Sequence, residues 1–141
     1  MLYDVVDEPA SLTASELRAA YERLLQGVIE THGRSTVSAA ADVDEDRLAA
    51  LGTESGGRLT VEEAMAILAV DADRDAETLT LELQDHLLMG MTTGVLDVDT
   101  LASETDLDLS GQEVQQSLEG RRATTLDELA AIHRVIATRN G

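Results

Sequence analysis

Four carboxylates stand at Asp71, Asp73, Asp75 and Glu82, in the run Asp71-Ala-Asp73-Arg-Asp75-Ala-Glu77 and five residues beyond it. Counted from Asp71 they hold positions 1, 3, 5 and 12. At that spacing a loop can turn oxygen ligands onto a hard cation such as calcium. A second group lies further along. Gln112, Gln115 and Gln116 share a short helical stretch, and Arg121 and Arg122 follow it. Glutamine amides can hydrogen-bond base edges, and guanidinium groups can hold phosphates. Each group has a plainer reading. The acids can form an interhelix linker that caps a helix starting at residue 76. The arginines can pair with neighbouring carboxylates or cap the helix before them.

The acidic run resembles an EF-hand loop, with two departures. Ala76 occupies the position that needs Gly for the sharp turn, and Thr78 the one where an apolar residue pairs two loops. His32, His86 and His133 fall one to a helical segment, and neither HxxxH nor HExxH occurs. With no Cys there is no disulfide framework and no thiolate zinc site. The chain contains no GxGxxG, GxxxxGKS or GxSxG. No catalytic residue and no cofactor is therefore assigned. Met65, Met89 and Met91 have Leu neighbours and are expected to fill the core of a chain without Phe.

Helix signals recur along the chain. Thr13 with Glu16 forms a capping box, and Leu17, Ala20, Tyr21, Leu24 and Val28 follow at helical spacing to Gly33. Short helices are expected over Val37–Ala41 and around Glu45–Leu51. A loop at Gly52, Ser55, Gly56 and Gly57 leads to a helix over Val61–Val70 capped by Thr60. A long helix over about 76–91 then places Leu79, Leu83, Leu87 and Met91 on one face. Shorter ones begin near Thr100 and at Ser110, and Thr125 opens the last, reaching about Thr138.

The two halves of this series echo each other. LLQGV at 24–28 returns as LLMGM at 87–91, Thr36-Val37 as Thr100-Leu101, and Thr60-Val61-Glu62-Glu63 as Thr125-Leu126-Asp127-Glu128. The offsets are 63, 64 and 65, a drift that short loop insertions produce. The expected organisation is a leader at 1–12, a helical repeat at 13–70, an acidic loop at 71–75 and a second repeat at 76–138. Each repeat alone is too small for a comfortable core. The expected fold is all-α, with about seven or eight helices from internal duplication of a four-helix unit, packed as one body. The Gly of each LLxG is expected to allow close helix approach.

Charge is the dominant feature of composition: 28 acids, ten bases and a net charge of −18. Every base is Arg. Such a charge repels itself unless salt screens it, and at 1 M salt the screening length is about 3 Å. Acid excess, absent Lys and few aromatics together resemble the cytoplasmic proteins of salt-in haloarchaea. The resemblance covers the whole chain and implies a halophilic, cytoplasmic protein without implying an activity. No stretch is apolar enough to span a bilayer, and the start lacks the basic region of a signal peptide.

The stretch at 100–122 resembles the helix-turn-helix of small repressor-like DNA-binding domains. The resemblance makes the helix at 110–118 a recognition helix and Arg121 and Arg122 its phosphate contacts. Charge works against it: residues 71–119 sum to −12, and only 120–141 is locally basic, at +2. The sequence thus points to a non-catalytic helical interaction or regulatory module, meeting a protein partner or self-associating as a homodimer. A DNA-binding regulator is the alternative, and a metal-dependent enzyme a distant second alternative.

Overall fold

Local chemistry sets the helix starts. In this computed structural model, which describes residues 1–54 and 58–140, four helices begin with a reciprocal capping box: Thr13 with Glu16, Thr60 with Glu63, Ser110 with Glu113 and Thr125 with Glu128. In each, the Ser or Thr hydroxyl accepts the backbone N–H three residues on, and the Glu accepts the cap's own N–H. Asp75 and Asp97 cap two more helices from one side only. Two 3-10 turns, Leu2–Asp4 and Pro9–Ser11, precede eight α-helices. These are α1 (Ala14–His32), α2 (Arg34–Ala41), α3 (Glu45–Ala49), α4 (Val61–Val70), α5 (Ala76–Thr93), α6 (Val98–Glu104), α7 (Gly111–Leu118) and α8 (Leu126–Asn140). The fold is all-α, as expected.

Two helices begin earlier than their sequence signals suggest. Gly33, at φ +89, turns the chain so sharply that α2 starts at Arg34 rather than beyond Ser35. The Asp97 carboxylate takes the Thr100 N–H, so α6 starts at Val98 and Thr100 lies inside it. The expected loop begins at Gly52, which holds φ +86. Ser55, Gly56 and Gly57 lie outside the described residues.

Packing links the first four helices to the last four reciprocally. α1 packs on α4 of its own half and more extensively on α8; α5 packs on α8 of its own half and more extensively on α4. Between the starts of α4 and α8 the backbones meet in an isolated antiparallel bridge, Thr60 to Thr125. The Val61 N–H donates to the Thr124 carbonyl at 2.8 Å, and the Leu126 N–H donates to the Leu59 carbonyl at 2.9 Å. The two bonds join corresponding positions of the two expected repeats.

A single aliphatic core runs through both halves, with Leu17, Tyr21, Leu25, Met65, Ile67, Leu101, Leu118, Leu126 and Ile132 all buried. Fully burying each such side chain contributes about 1.5–3 kcal/mol. Residues 1–12 pack on this core. Leu2 is wholly buried, Met1, Tyr3, Val5, Val6 and Leu12 pack on the core, and the Arg134 guanidinium donates to the Leu12 carbonyl at 2.7 Å. One carboxylate, Glu22, is buried within α1. It accepts the Gly52 N–H at 2.6 Å and lies 3.4 Å from Arg18 Nε, while the same guanidinium reaches Asp127 on α8. Placing Arg18 beside both Glu22 and Asp127 offsets part of the cost of burying the Glu22 carboxylate.

Candidate functional site: the outer face of α5

Helix α5 buries Leu79, Leu83, Leu87 and Met91 against α4 and α8. The same helix also carries apolar residues out of phase with that face. Leu81 is 57% exposed, Leu88 44% and Met89 63%. Just past its end Val95 is 89% exposed. Among the described residues these are the large apolar side chains that face water. Met65 and Met91 are core residues, as expected, but Met89 is not. It sits two positions before Met91, on the opposite side of the helix.

Relief on one flank of this ridge is concave. A cleft of about 610 Å³ has a floor of Leu83, Leu87, Leu118 and Ile132 and a wall bearing Arg121 and Arg122. A smaller hollow lies along Leu88, Met91 and Leu96. Gly120 at the cleft wall holds φ +74, a left-handed backbone that favours glycine.

The end of α5 is a Schellman turn. The Leu96 N–H donates to the Met91 carbonyl and the Val95 N–H to the Thr92 carbonyl. Val95 occupies the left-handed position, φ +50, that such turns usually give to Gly. Among the described residues the other positive-φ positions are Gly33, Gly52, Gly120 and Asp42, types that tolerate this conformation.

The residues proposed for nucleic acid lie together on and after α7. Gln112 and Gln115 are exposed and Gln116 half-buried. The Gln115 amide donates to Glu119, and Glu119 also accepts from Arg121. These two hydrogen bonds hold the Glu119 carboxyl below its usual range. Arg122 donates to the Ser117 hydroxyl and lies 3.4 Å from Glu128. Both arginines therefore have carboxylate partners within the chain.

The four calcium candidates are not brought together. Asp71 bonds His32 Nε2 at 2.7 Å, Asp75 caps α5 through the Thr78 N–H, and Glu82 pairs with Arg74. Asp73 is exposed. Ala76, in place of the turn-making Gly, is the first residue of α5, so the chain enters the helix where a cation loop would still be curling. Among the described residues no three His, Asp or Glu side chains are grouped to hold a metal ion.

Two of the scattered histidines meet in space. His133 on α8 is buried, and its Nδ1 lies 2.6 Å from the Tyr21 hydroxyl on α1. His86 on α5 approaches it edge-on at 6.4 Å and stacks on Tyr3 at 4.1 Å. Burial, assisted by the nearby His86, lowers the His133 pKa to about 4, and burial raises that of Tyr21. At neutral pH the imidazole is uncharged, and one short hydrogen bond joins its Nδ1 to the tyrosine hydroxyl. This cluster ties the amino-terminal turn, α1, α5 and α8 together.

Sequence periodicity did hold a signal for the α5 ridge. Leu81, Leu88 and Val95 recur every seven residues, out of step with the buried set. Fold and surface together define a small, strongly acidic, all-helical protein with one apolar ridge. The chain belongs to the family of unknown function DUF5791, whose pattern matches residues 17–139, from the first turn of α1 to the last of α8. No curated protein and no solved structure matches it. Among the described residues, no helix is long and apolar enough to cross a membrane.

Proposed function

We propose that the protein is a non-catalytic helical interaction module that works in the concentrated KCl of a haloarchaeal cytoplasm. Its docking face is the outer side of α5. The observation that carries this reading is the placement of Leu81, Leu88, Met89 and Val95. In a chain of net charge −18, the exposed large apolar side chains gather on one helix and the turn that ends it. Apolar surface gathered in this way favours a protein contact. The same reading takes the two halves as copies of one ancestral unit. The reciprocal packing of α1 and α5 and the paired hydrogen bonds at Thr60 and Thr125 support it.

The test is Leu88→Glu. It should leave the fold and melting temperature unchanged and abolish co-purification of any partner bound through α5; a bound partner that survives the substitution contradicts the reading. The salt habitat has its own test. Melting temperature should rise steadily as KCl approaches about 1 M, where repulsion among carboxylates is screened. A flat response would remove the halophilic part of the reading.

A second reading has one observation in its favour, the exposure of Gln112 and Gln115 on α7. A gel shift at about 1 M KCl that is lost in Arg121→Glu and Arg122→Glu would establish DNA binding.

A further inference from the structure

We infer that the occupant of the α5 face is a second copy of this chain, lying antiparallel along it about a two-fold axis at Leu88. The inference rests on the docking-face reading and adds the identity of the partner. Three features of the face carry it.

Spacing comes first. Leu81 and Val95 lie seven residues to either side of Leu88. In an antiparallel crossing centred on Leu88, that residue meets Leu88 of the second copy. Leu81 then meets Val95 of the second copy, and Val95 meets its Leu81. A patch that matches itself under a two-fold is what an isologous dimer needs. Within α5 the step from Leu81 to Leu88 is the repeat of a helix–helix seam, and Val95 follows in the turn that ends the helix.

Charge selects the same direction. The carboxylates of α5 are Glu77, Glu82 and Asp85, all in its first ten residues, and the stretch 86–96 contains none. Antiparallel docking lays Glu82 and Asp85 of each copy against the carboxylate-free stretch of the other, and only Glu77 comes level with Asp99 at the far end. Parallel docking would set acid on acid, which costs several kcal/mol in an interface. A basic partner would find carboxylates of α5 itself only along the first half of the helix.

Val95 supplies the third feature. It is the most exposed of the four apolar residues and holds a backbone conformation that disfavours β-branched side chains. A Gly there would relieve both penalties. Strain retained at an exposed position points to a role for the side chain, and in the two-fold arrangement that role is to cover Leu81 of the second copy.

The absence of Cys makes the arrangement testable by single-cysteine cross-linking of the full chain. Leu88→Cys, on the axis, should give a disulfide-linked dimer under mild oxidation at about 1 M KCl. Leu81→Cys alone should not, because seven residues of helix place it about 10 Å from the axis, well outside disulfide reach of its own symmetry mate. Chains carrying Leu81→Cys and Val95→Cys should cross-link when mixed. Leu88→Glu should weaken association about 30-fold, the loss typical of a central contact, without lowering the melting temperature of the monomer. Val95→Gly should weaken association while making the monomer more stable, a combination that a merely structural role would not give. Self-cross-linking of Leu81→Cys as readily as Leu88→Cys overturns the antiparallel two-fold. A wild-type chain that stays monomeric under these conditions overturns the second copy as occupant. The docking-face reading then survives only if a different co-purifying protein is lost in Leu88→Glu.

Discussion

LLQGV on α1 and LLMGM on α5 are nearly the same five letters, and the structure uses them differently. On α1, Leu24 is half-buried and Leu25 fully buried; on α5, Leu87 is buried and Leu88 largely exposed. The buried ridges themselves correspond one residue out of step with the letters. Leu17, Tyr21 and Leu25 answer to Leu79, Leu83 and Leu87, at a spacing of 62 rather than 63. The glycines differ as well. A Cβ on Gly27 would meet nothing within 4 Å, whereas one on Gly90 would stand 2.6 Å from Ile136 Cγ2. The expected close approach is therefore real at Gly90, where α8 crosses, and absent at Gly27. A shift of about 100° in helical phase decides whether one Leu–Leu–x–Gly seals a core or exposes a face.

The largest test of this contrast is leucine truncation. Leu25→Ala should cost about 2–5 kcal/mol, because it opens a cavity in the core. Leu88→Ala, read at protein concentrations low enough to keep the chain monomeric, should cost no more than about 0.5 kcal/mol. Denaturant melts of the two variants measure both, and equal losses would remove the distinction between the helices.

Next in size is the acid sensitivity of the α1–α8 contact. His133 has a folded pKa of about 4 and an unfolded value of about 6.5. The unfolded chain therefore binds a proton that the folded chain refuses, and stability falls as pH drops from about 6.5 to about 4. The full loss is about 3 kcal/mol. The double variant Tyr21→Phe with His133→Leu removes both hydrogen-bonding partners, so neither is left buried alone. Its stability should vary less than the wild type across that window. An unchanged pH profile would show that His133 is already protonated in the folded state.

The glycine pair should respond with opposite signs. Gly90→Ala forces a methyl into Ile136 and should cost about 1–3 kcal/mol. Gly27→Ala, in open space within a helix, should gain about 0.5–1 kcal/mol. Thermal melts of the two variants would show it. The smallest effect belongs to Val95→Gly. Relief of the left-handed strain outweighs the extra freedom of the unfolded glycine, for a net gain of about 0.5–1 kcal/mol in the monomer.

Much of the fold was legible because it is written locally. Thr13, Thr60, Ser110 and Thr125 each announce a helix through a Glu three residues on, and helix starts follow from such short-range bonds. Where a different residue captured the N–H, as Asp97 did at α6, the start moved by two residues. The buried set on α5 was legible from its four-residue spacing. The exposed ridge was harder to see, since Leu81, Leu88 and Met89 look like more of the same apolar helix until packing fixes its phase. The contacts between His133 and Tyr21, or between Arg18 and Asp127, span more than a hundred residues, so no local pattern encodes them. Arg121 and Arg122 drew notice as a basic pair, but only the folded chain brings Glu119 and Glu128 against them.

The claim on which the rest depends is that α5, and not α1, presents a face for protein contact. Methyl resonances of the chain, followed while its concentration is raised at about 1 M KCl, test this most directly. Signals of Leu81, Leu88, Met89 and Val95 should move together with concentration while those of Leu24, Leu25 and Val28 stay fixed. If the α1 methyls move with them, or the α5 methyls remain still both up to millimolar protein and on adding a co-purifying protein, the account is contradicted.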